Sequence, residues 1–353
     1  MKLEELLNAP GEWLKGSGPE HDIVISSRIR LARNFSGFQF SNRLENNRRE
    51  NLIRDVETAV EKCAMFKQRL FLRNDRLETV DNELLLERHL ISREHALDKR
   101  ARAVCITPNE ILSLMVLEED HLRIQTIQSG FNLVDVWRLI DKLDSDLEKH
   151  LSYAFHPEFG YLTACPTNVG TGIRVSSMLH LPALVMTKQL NRVLTALQKL
   201  NLVARGMYGE GTQATGNFFQ ISNQVTLGQT ETDVIESLES DIRQIIEHER
   251  EARTQLLEKK RLHLEDQVWR AIGVLKGARM ISSADTMSLL SMTRLGMDLN
   301  LVQGIHTKML NELFLLIQPA HMQRLSKRTL SAKERDQRRA ELVRFHLKPV
   351  ELN

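Results

Sequence analysis

The spacing of apolar positions along this 353-residue chain changes several times, and each change predicts an element. Asp22 to Arg28 alternates, with Ile23 and Ile25 on one face and Val24 on the other. This predicts a strand that delivers Arg28 and Arg30 to the same side. Leu44 to Leu70 and Asn82 to Leu97 carry apolar residues at helical spacing, among them Leu52, Val56, Ala59, Val60 and Cys63, and predict covering helices. Ile111 to Leu117 and Leu122 to Ile127 are strand-like runs on either side of Glu118-Glu119-Asp120-His121. They predict an antiparallel pair with a charged tip, with Arg123 on the opposite face from Leu122 and Ile124. Leu133 to Leu151 predicts an amphipathic helix and Tyr161 to Ala164 a short strand. Val175 to Leu200 predicts one long helix, kinked at Pro182. Leu202 to Arg205 and Phe218 to Thr226 predict strands, joined by a loop whose Gly206, Gly209, Gly211 and Gly216 allow closure over a substrate.

From Thr230 to Lys276 the texture differs. Glycine is nearly absent, charge is dense, and Ile235, Leu238, Ile242, Ile245 and Ile246 recur at helical spacing. Met280 to Leu347 continues as helix, with Met287, Leu290, Leu295, Leu310 and Leu313 available for a small core or a dimer face. Residues 1 to 21 predict only a short helix and a Gly/Pro-containing lead-in. These patterns place a domain boundary between residues 250 and 265, giving domains 1–255 and 256–353.

Composition narrows the class without identifying it. With 42% apolar and 27% charged residues, the chain reads as ordinary globular protein large enough for two domains. Its 48 basic and 46 acidic residues leave a formal charge of +2, which gives no general drive toward nucleic acid or anionic membrane, so any anion site is local. Cys63, Cys105 and Cys165 are odd in number and far apart, which argues against a disulfide framework or zinc cluster and for a reducing cytoplasm. The N-terminus lacks the basic flank and apolar run of a signal peptide. No uncharged apolar segment approaches the ~20 residues a membrane span needs.

Four segments carry candidate chemistry. Ser26-Ser27-Arg28-Ile29-Arg30-Leu31-Ala32-Arg33 holds three arginines and no acid, a reading shared between a two-pronged cation and a solvated basic strand. Glu118-Glu119-Asp120-His121-Leu122-Arg123 places carboxylates beside a cation. Cys165-Pro-Thr-Asn-Val-Gly-Thr-Gly-Ile-Arg174 and Arg205-Gly-Met-Tyr-Gly-Glu210 set an arginine and a reactive side chain among glycines. The Gly-x-x-x-x-Gly-Lys-Ser/Thr loop and the His-Arg-Asp and Asp-Phe-Gly signatures are absent from the sequence, so phosphate chemistry here requires another cradle.

In this order, from about Ser26 to Gln229, the segments resemble the catalytic core of the phosphagen (guanidino) kinases, and most closely the bacterial protein-arginine kinases of that superfamily. The resemblance implies an α+β fold: a phosphagen-kinase-like catalytic domain with a central, mainly antiparallel sheet flanked by helices, followed by an all-helical C-terminal domain. It implies that ATP, with Mg2+, is gripped by Arg28, Arg30, Arg123, Arg174 and Arg205. Ser26, Ser27, Ile29, Val175, Ser176, Ser177, Met178, Gly206, Met207, Tyr208, Gly209 and Glu210 join them in the nucleotide site, and His89 takes the position of an adenine-contacting histidine. Guanidinium forks suit this work because a transferring phosphoryl group spreads charge over its oxygens. Glu119 and Glu210 match the carboxylates that orient the acceptor guanidinium and take its proton, and Cys165 matches the active-site cysteine, its thiol acidified by arginine neighbours. No metal ligand is assigned to a protein side chain. This chain departs from the family at Leu117, where asparagine is usual, and at Gln213, where glutamate is usual.

In the tail, Arg335-Asp336-Gln337-Arg338-Arg339-Ala340 resembles the Arg-Asp-x-x-Arg-Ala motif with which protein-arginine kinases bind phosphoarginine allosterically. Arg335, Asp336, Arg339 and Ala340 are the candidate contacts, and the two arginines at i and i+4 share a helix face. Three function classes stay open: a kinase of arginine side chains in proteins, a kinase of a free guanidino metabolite, and an inactive phosphoarginine-binding regulator. Retention of the arginines, both glutamates and the cysteine disfavours the last. Small-molecule phosphagen kinases carry about a hundred residues before the first arginine pair, whereas 27 residues precede Arg28 here, which favours the first. The resemblance also implies protein substrates with accessible arginines, a zinc-binding adaptor, a heat-shock repressor and a Clp-type protease as partners, a role in stress response, and a homodimer.

Overall fold

The computed structural model describes residues 3–7, 10–207 and 215–350. In chain order the elements are α1 (Leu3–Leu7), β1 (Val24–Arg33), α2 (Asn46–Lys62), β2 (Leu70–Arg73), α3 (Thr79–Glu87), α4 (Arg93–Leu97), β3 (Ala103–Ile106), β4 (Leu112–Val116), β5 (Leu122–Ser129) and α5 (Leu133–Glu148). Then come β6 (Phe155–His156), β7 (Gly160–Tyr161), β8 (Ile173–His180), α6 (Pro182–Met186), α7 (Leu190–Lys199), β9 (Leu202–Gly206) and β10 (Phe218–Asn223). The remainder is helical: α8 (Glu231–Gly277), α9 (Ser283–Asp298), α10 (Thr307–Leu316), α11 (Pro319–Ser326) and α12 (Ala332–His346).

Contacts group the chain into two units. The first comprises Met1–Trp13, Ser26–Ser176 and Ser222–Glu239. Its sheet has the strand order β2-β3-β4-β5-β1-β8, and the β2/β3, β3/β4, β4/β5 and β5/β1 pairs are antiparallel. The β4/β5 pair with its acidic tip forms as the alternation predicts. Strands β2 and β3 do not stand out in the sequence, because four-residue apolar runs are too short to show a period. Helix α5 buries Leu133, Val136, Ile140, Leu143 and Leu147, the i, i+3/i+4 stripe of an amphipathic helix.

The second unit comprises Leu14–Ile25, Ser177–Ile221 and Ser240–Asn353. It contains the end of β8 from Ser177, β9, β10 as far as Ile221, and most of the C-terminal helices. The expected helix over Val175 to Leu200 is wrong in its first part. Residues 173–180 form β8, and helix begins only at Pro182, whose missing N–H costs nothing at a helix start. The β-branched Ile173 and Val175, alternating with Arg174 and Ser176, carry a period-2 signal that the apolar Met178, Leu179 and Leu181 obscure. Helix α6 is capped from a distance: the buried Glu249 carboxylate accepts hydrogen bonds from the N–H groups of Ala183 and Leu184, both at 3.0 Å, and from Arg253 Nε at 3.1 Å. Helix α8 runs through the expected boundary region, and within it Lys260 alone departs from helical geometry (φ −140°, ψ 29°).

Candidate active site

In the first unit the antiparallel register performs the first step of assembly. Arg28 and Arg30 lie two residues apart on β1 and therefore share a face, as does Ala32. Ala32 stands opposite Arg123 on β5, and Arg30 opposite Gln125, so Arg123 emerges on that same face. On the other flank of β1, the Ala32 N–H donates to the Gly172 carbonyl at 2.9 Å and Ser176 Oγ donates to the Arg28 carbonyl at 3.3 Å. Two residues beyond Gly172, Arg174 donates through Nη2 to Ser222 Oγ at 3.0 Å. Asn223 locks this part of β8 by accepting from the Val175 N–H at 2.8 Å and donating to the Ile173 carbonyl.

Arg123 and Arg174 act on the guanidinium groups of Arg28 and Arg30 on β1. Burial, then Arg123 and Arg174, lowers the Arg28 pKa to about 9. Arg30 is pushed down by burial and by Arg28, Arg123 and Arg174, with Glu118 acting in the opposite sense. Arg30 Nε is buried without a hydrogen-bond partner among the described residues. A buried donor amid like charges is the condition that a bound polyanion relieves. His89 belongs to the same cluster: burial, then Arg28 and Arg30, holds its imidazole down to about 3, and its ring meets Trp13 edge-on at 5.2 Å. A neutral imidazole beside two arginines suits stacking on an uncharged base.

The acidic tip divides labour among its carboxylates. Glu118 is buried, and its Oε1 accepts from Arg123 Nη1 and Ser92 Oγ, both at 2.6 Å, while Oε2 accepts from the Glu119 N–H at 2.8 Å. Burial alone would raise this carboxyl, but Arg123, Ser92 and the Glu119 N–H hold it down to about 2. Glu119 is exposed, and its pKa is raised by partial burial and by Asp120 and Glu118. An accessible carboxylate with raised basicity is the state that a proton acceptor requires. Leu117, where the family has asparagine, is buried and adopts a left-handed backbone (φ 63°), a conformation that asparagine tolerates better than leucine does.

Asp120 ties this tip to the cysteine segment. Its Oδ1 accepts from the Ala164 N–H at 2.7 Å and from Asn34 Nδ2 at 2.6 Å. Asn34 also donates to the Leu162 carbonyl at 3.0 Å and accepts from the His121 N–H at 2.9 Å. Glu119 is thus one residue from a carboxylate bonded to the residue before Cys165. The Cys165 thiol is partly accessible and lies 3.0 Å from Thr167 Oγ1. Asn34, Ser92, Asp120 and Asn223 escaped the sequence reading. Each is a single polar residue whose role depends on contacts distant in the chain, and only Asp120 lay inside a recognisable motif.

The other expected contacts divide by environment. The side chains of Ser26, Ser27, Ile29, Val175, Ser176 and Ser177 are buried, and Ser27 Oγ bridges the Gly130 carbonyl and the Asn132 N–H, both at 2.9 Å. In the second unit Met178, Gly206 and Met207 are buried and Arg205 is exposed on β9. Tyr208, Gly209, Glu210 and Gln213 lie outside the described residues. In the tail, Arg339 is buried and donates to the carbonyls of Ile317 (2.7 Å) and Ile281 (2.9 Å) and to Asp336 (2.5 Å). Arg335 donates to the Leu330 carbonyl at 2.8 Å, and Ala340 is buried. A cavity of about 510 Å³ lies within this unit, lined in part by Val274, Ile281, Ser282, Asp285, Leu289 and Asp336.

An arginine-lined sheet face, a carboxylate tip and a partly accessible cysteine thus stand together in the first unit, and the comparisons identify the class of protein that carries them. Residues 51–252 match the model of the ATP:guanido phosphotransferase C-terminal catalytic domain. The duplicated taurocyamine kinase of Schistosoma mansoni, solved with transition-state-analogue components, is similar with a TM-score of 0.59 and 26% identity, over 69% of this chain and 35% of that one. A lombricine kinase structure, at 23% identity and a TM-score of 0.59 over 67% of this chain and 68% of that one, supports the fold alone. Residues 261–353 match the protein-arginine kinase McsB C-terminal domain. A protein-arginine kinase from Symbiobacterium thermophilum is 47% identical over 98% of this chain and 99% of its own length, and one from Bacillus subtilis is 43% identical over 98% and 96%. The chain belongs to the protein-arginine kinase family.

Proposed function

We propose that this protein transfers the γ-phosphoryl group of ATP to the guanidinium of arginine side chains in proteins. The observation that carries the reading is the face formed by Arg28, Arg30, Arg123 and Arg174, with the exposed Glu119 on a tip bonded to the Cys165 segment. In the proposed step a guanidinium nitrogen attacks the γ-phosphorus, the bond from that phosphorus to the β–γ bridging oxygen breaks, and ADP leaves. Glu119 accepts the proton that the nitrogen loses, Cys165 steers the guanidinium, and the arginines stabilise the equatorial oxygens. Mg2+ accompanies the nucleotide and neutralises phosphate charge. Glu210 is the second orienting carboxylate, and Arg205 adds to the phosphate grip.

The remaining roles extend this reading. The catalytic and helical domains meet between residues 250 and 265, supported by the positions of the two family matches and the break at Lys260. Phosphoarginine acts as an allosteric ligand at the tail motif, where Arg335 and Arg339, at i and i+4, are the candidate phosphate contacts beside Asp336 and Ala340. A homodimer, a cytoplasmic location, and work with an adaptor, a heat-shock repressor and a Clp-type protease in stress complete the proposal. The decisive experiment incubates the purified chain with ATP, Mg2+ and an arginine-rich unfolded protein, and compares kcat/KM with that for free arginine. Acid-labile phosphate on the protein, with a much lower kcat/KM for free arginine, is the expected result. Equal or better phosphorylation of free arginine would transfer the assignment to a metabolite kinase.

A further inference from the structure

Resting on that reading, we infer that Phe155 and Phe159, with Leu227, form a docking platform that selects polypeptide segments bearing apolar residues near the target arginine. The β6–β7 hairpin pairs Phe155 with Tyr161 and His156 with Gly160. Its two phenylalanines face solvent, with 58% and 46% of their surface exposed, which is unusual for side chains of this size in a well-anchored segment. Leu227 is likewise exposed at 54%. It adjoins the hairpin because Gly160 packs on the Gly170 carbonyl and Gly170 packs on the Leu227 backbone, so closely that a Cβ at either glycine would lie 3.1 Å or less from those atoms.

The hairpin is held rigidly. Tyr161 donates its N–H to the Gly170 carbonyl at 2.8 Å, and its ring lies under the Arg33 guanidinium at 3.6 Å, which in turn is held by buried Asp144 at 2.6 Å. Phe155 meets the Tyr161 ring edge-on at 5.3 Å, and Phe159 stacks with His156 at 4.8 Å. A rigid, exposed aromatic pair needs no ordering on binding, which is the property of an anchor surface.

Continuity with the phosphotransfer site decides the occupant. The four steps from Tyr161 to Cys165 reach at most ~14 Å fully extended. Within them the Leu162 carbonyl and the Ala164 N–H are bonded to Asn34 and Asp120 of the Glu119 tip. A polypeptide whose arginine reaches Glu119 therefore has the hairpin within reach of residues a few positions from that arginine. Between Ser152 and Leu162 the acidic residue is Glu158, and lysine and arginine are absent from the segment, so the platform favours an apolar segment carrying positive charge and gives nothing to an acidic one.

The test uses two unfolded substrates that differ only in the residues flanking their arginines, leucine and phenylalanine in one, serine and glycine in the other. With saturating ATP, the wild type is expected to favour the apolar-flanked substrate about tenfold through KM. The Phe155→Ser/Phe159→Ser double variant should lose that preference, keep its KM for ATP and its kcat, and regain the preference when both positions carry leucine. An equal preference in wild type and double variant, or no preference in the wild type, overturns the platform. Failure of the wild type to phosphorylate either polypeptide would instead overturn the proposed activity.

Discussion

Replacing Glu118 with glutamine tests whether the buried partner of Arg123 is a structural ion pair or an incidental contact. The substitution preserves shape and removes charge, so Arg123, Ser92 and the Glu119 N–H all lose a charged acceptor, and one of the two carboxylate oxygens is replaced by a donor. The carboxyl stands at about 2 against an ordinary 4.5, a difference equivalent to roughly 3 kcal/mol favouring the ionised native state. The sign follows from the depressed value. This stabilisation is complete above about pH 4.5 and disappears as pH falls through about 2, and at pH 3 only about 1.5 kcal/mol of it remains. Urea unfolding followed by tryptophan fluorescence should therefore separate wild type and variant by about 3 kcal/mol at pH 7 and by about half that at pH 3. Thermal unfolding at pH 7 should show a loss of roughly 6–12 °C. A gap that stays constant over this pH range, or less than about 0.5 kcal/mol at pH 7, would refute the assignment of the stabilisation to the Glu118 charge.

Glu119→Gln should lower turnover on a protein substrate by on the order of a hundredfold while leaving ATP binding intact, and wild-type kcat should rise with pH as the raised Glu119 carboxyl loses its proton. A variant that turns over normally would remove Glu119 from the chemistry. Arg205→Ala should weaken nucleotide affinity and turnover together, and unchanged values for both would exclude it from the phosphate site. Gly172→Ala should destabilise by roughly 1–3 kcal/mol: φ is +65°, and the new Cβ would lie 2.7 Å from the Ala32 carbonyl oxygen and 2.8 Å from Arg33 Nη1. An unchanged melting temperature would show that this turn relaxes freely. Phosphoarginine should bind the wild type more tightly than an Arg335→Ala/Arg339→Ala variant in a calorimetric titration, and equal affinity would displace the ligand from the tail motif.

What could be read from the sequence was what repeats or clusters locally. The β4/β5 pair, the amphipathic α5 and the isoleucine-rich α8 show their periods plainly, and each formed. The acidic tip was legible because three acids in succession before His121 stand out between apolar strands. What could not be read depends on register. Nothing local to Ala32 says that it stands opposite Arg123, yet that pairing brings Arg123 to the face of Arg28 and Arg30. The roles of Asn34 and Ser92 likewise exist only once residues 86 or 26 positions away have come into contact. Arg339 looks like a surface charge at the end of a run of seven polar and charged residues, Lys333 to Arg339, but its guanidinium supports backbone carbonyls that no helix of its own can satisfy. The misread start of the Val175–Leu200 segment has the same origin. A central strand buried on both faces loses its alternation, and only its two β-branched residues betray it.

The proposed phosphate site stands on β1, β5 and β8 rather than on loops, and the charges of its arginine face give a reason. Like charges this close oppose folding, and flexible elements would relieve the repulsion by moving apart. A hydrogen-bonded sheet cannot, because separating Arg28 from Arg123 or Arg174 would break the ladders that join their strands. Glu118 offsets one charge by pairing with Arg123, while Arg30 Nε keeps a buried donor unsatisfied among the described residues. The framework therefore holds the cations in fixed positions, which on the proposed reading leaves little reorganisation for nucleotide binding. That arrangement favours a transition state whose charge is spread over several oxygens more than it favours any single phosphate group, since only the former can engage several fixed guanidinium groups at once. On the proposed reading, stability withheld in the free protein is in this way converted into differential affinity at the moment of transfer.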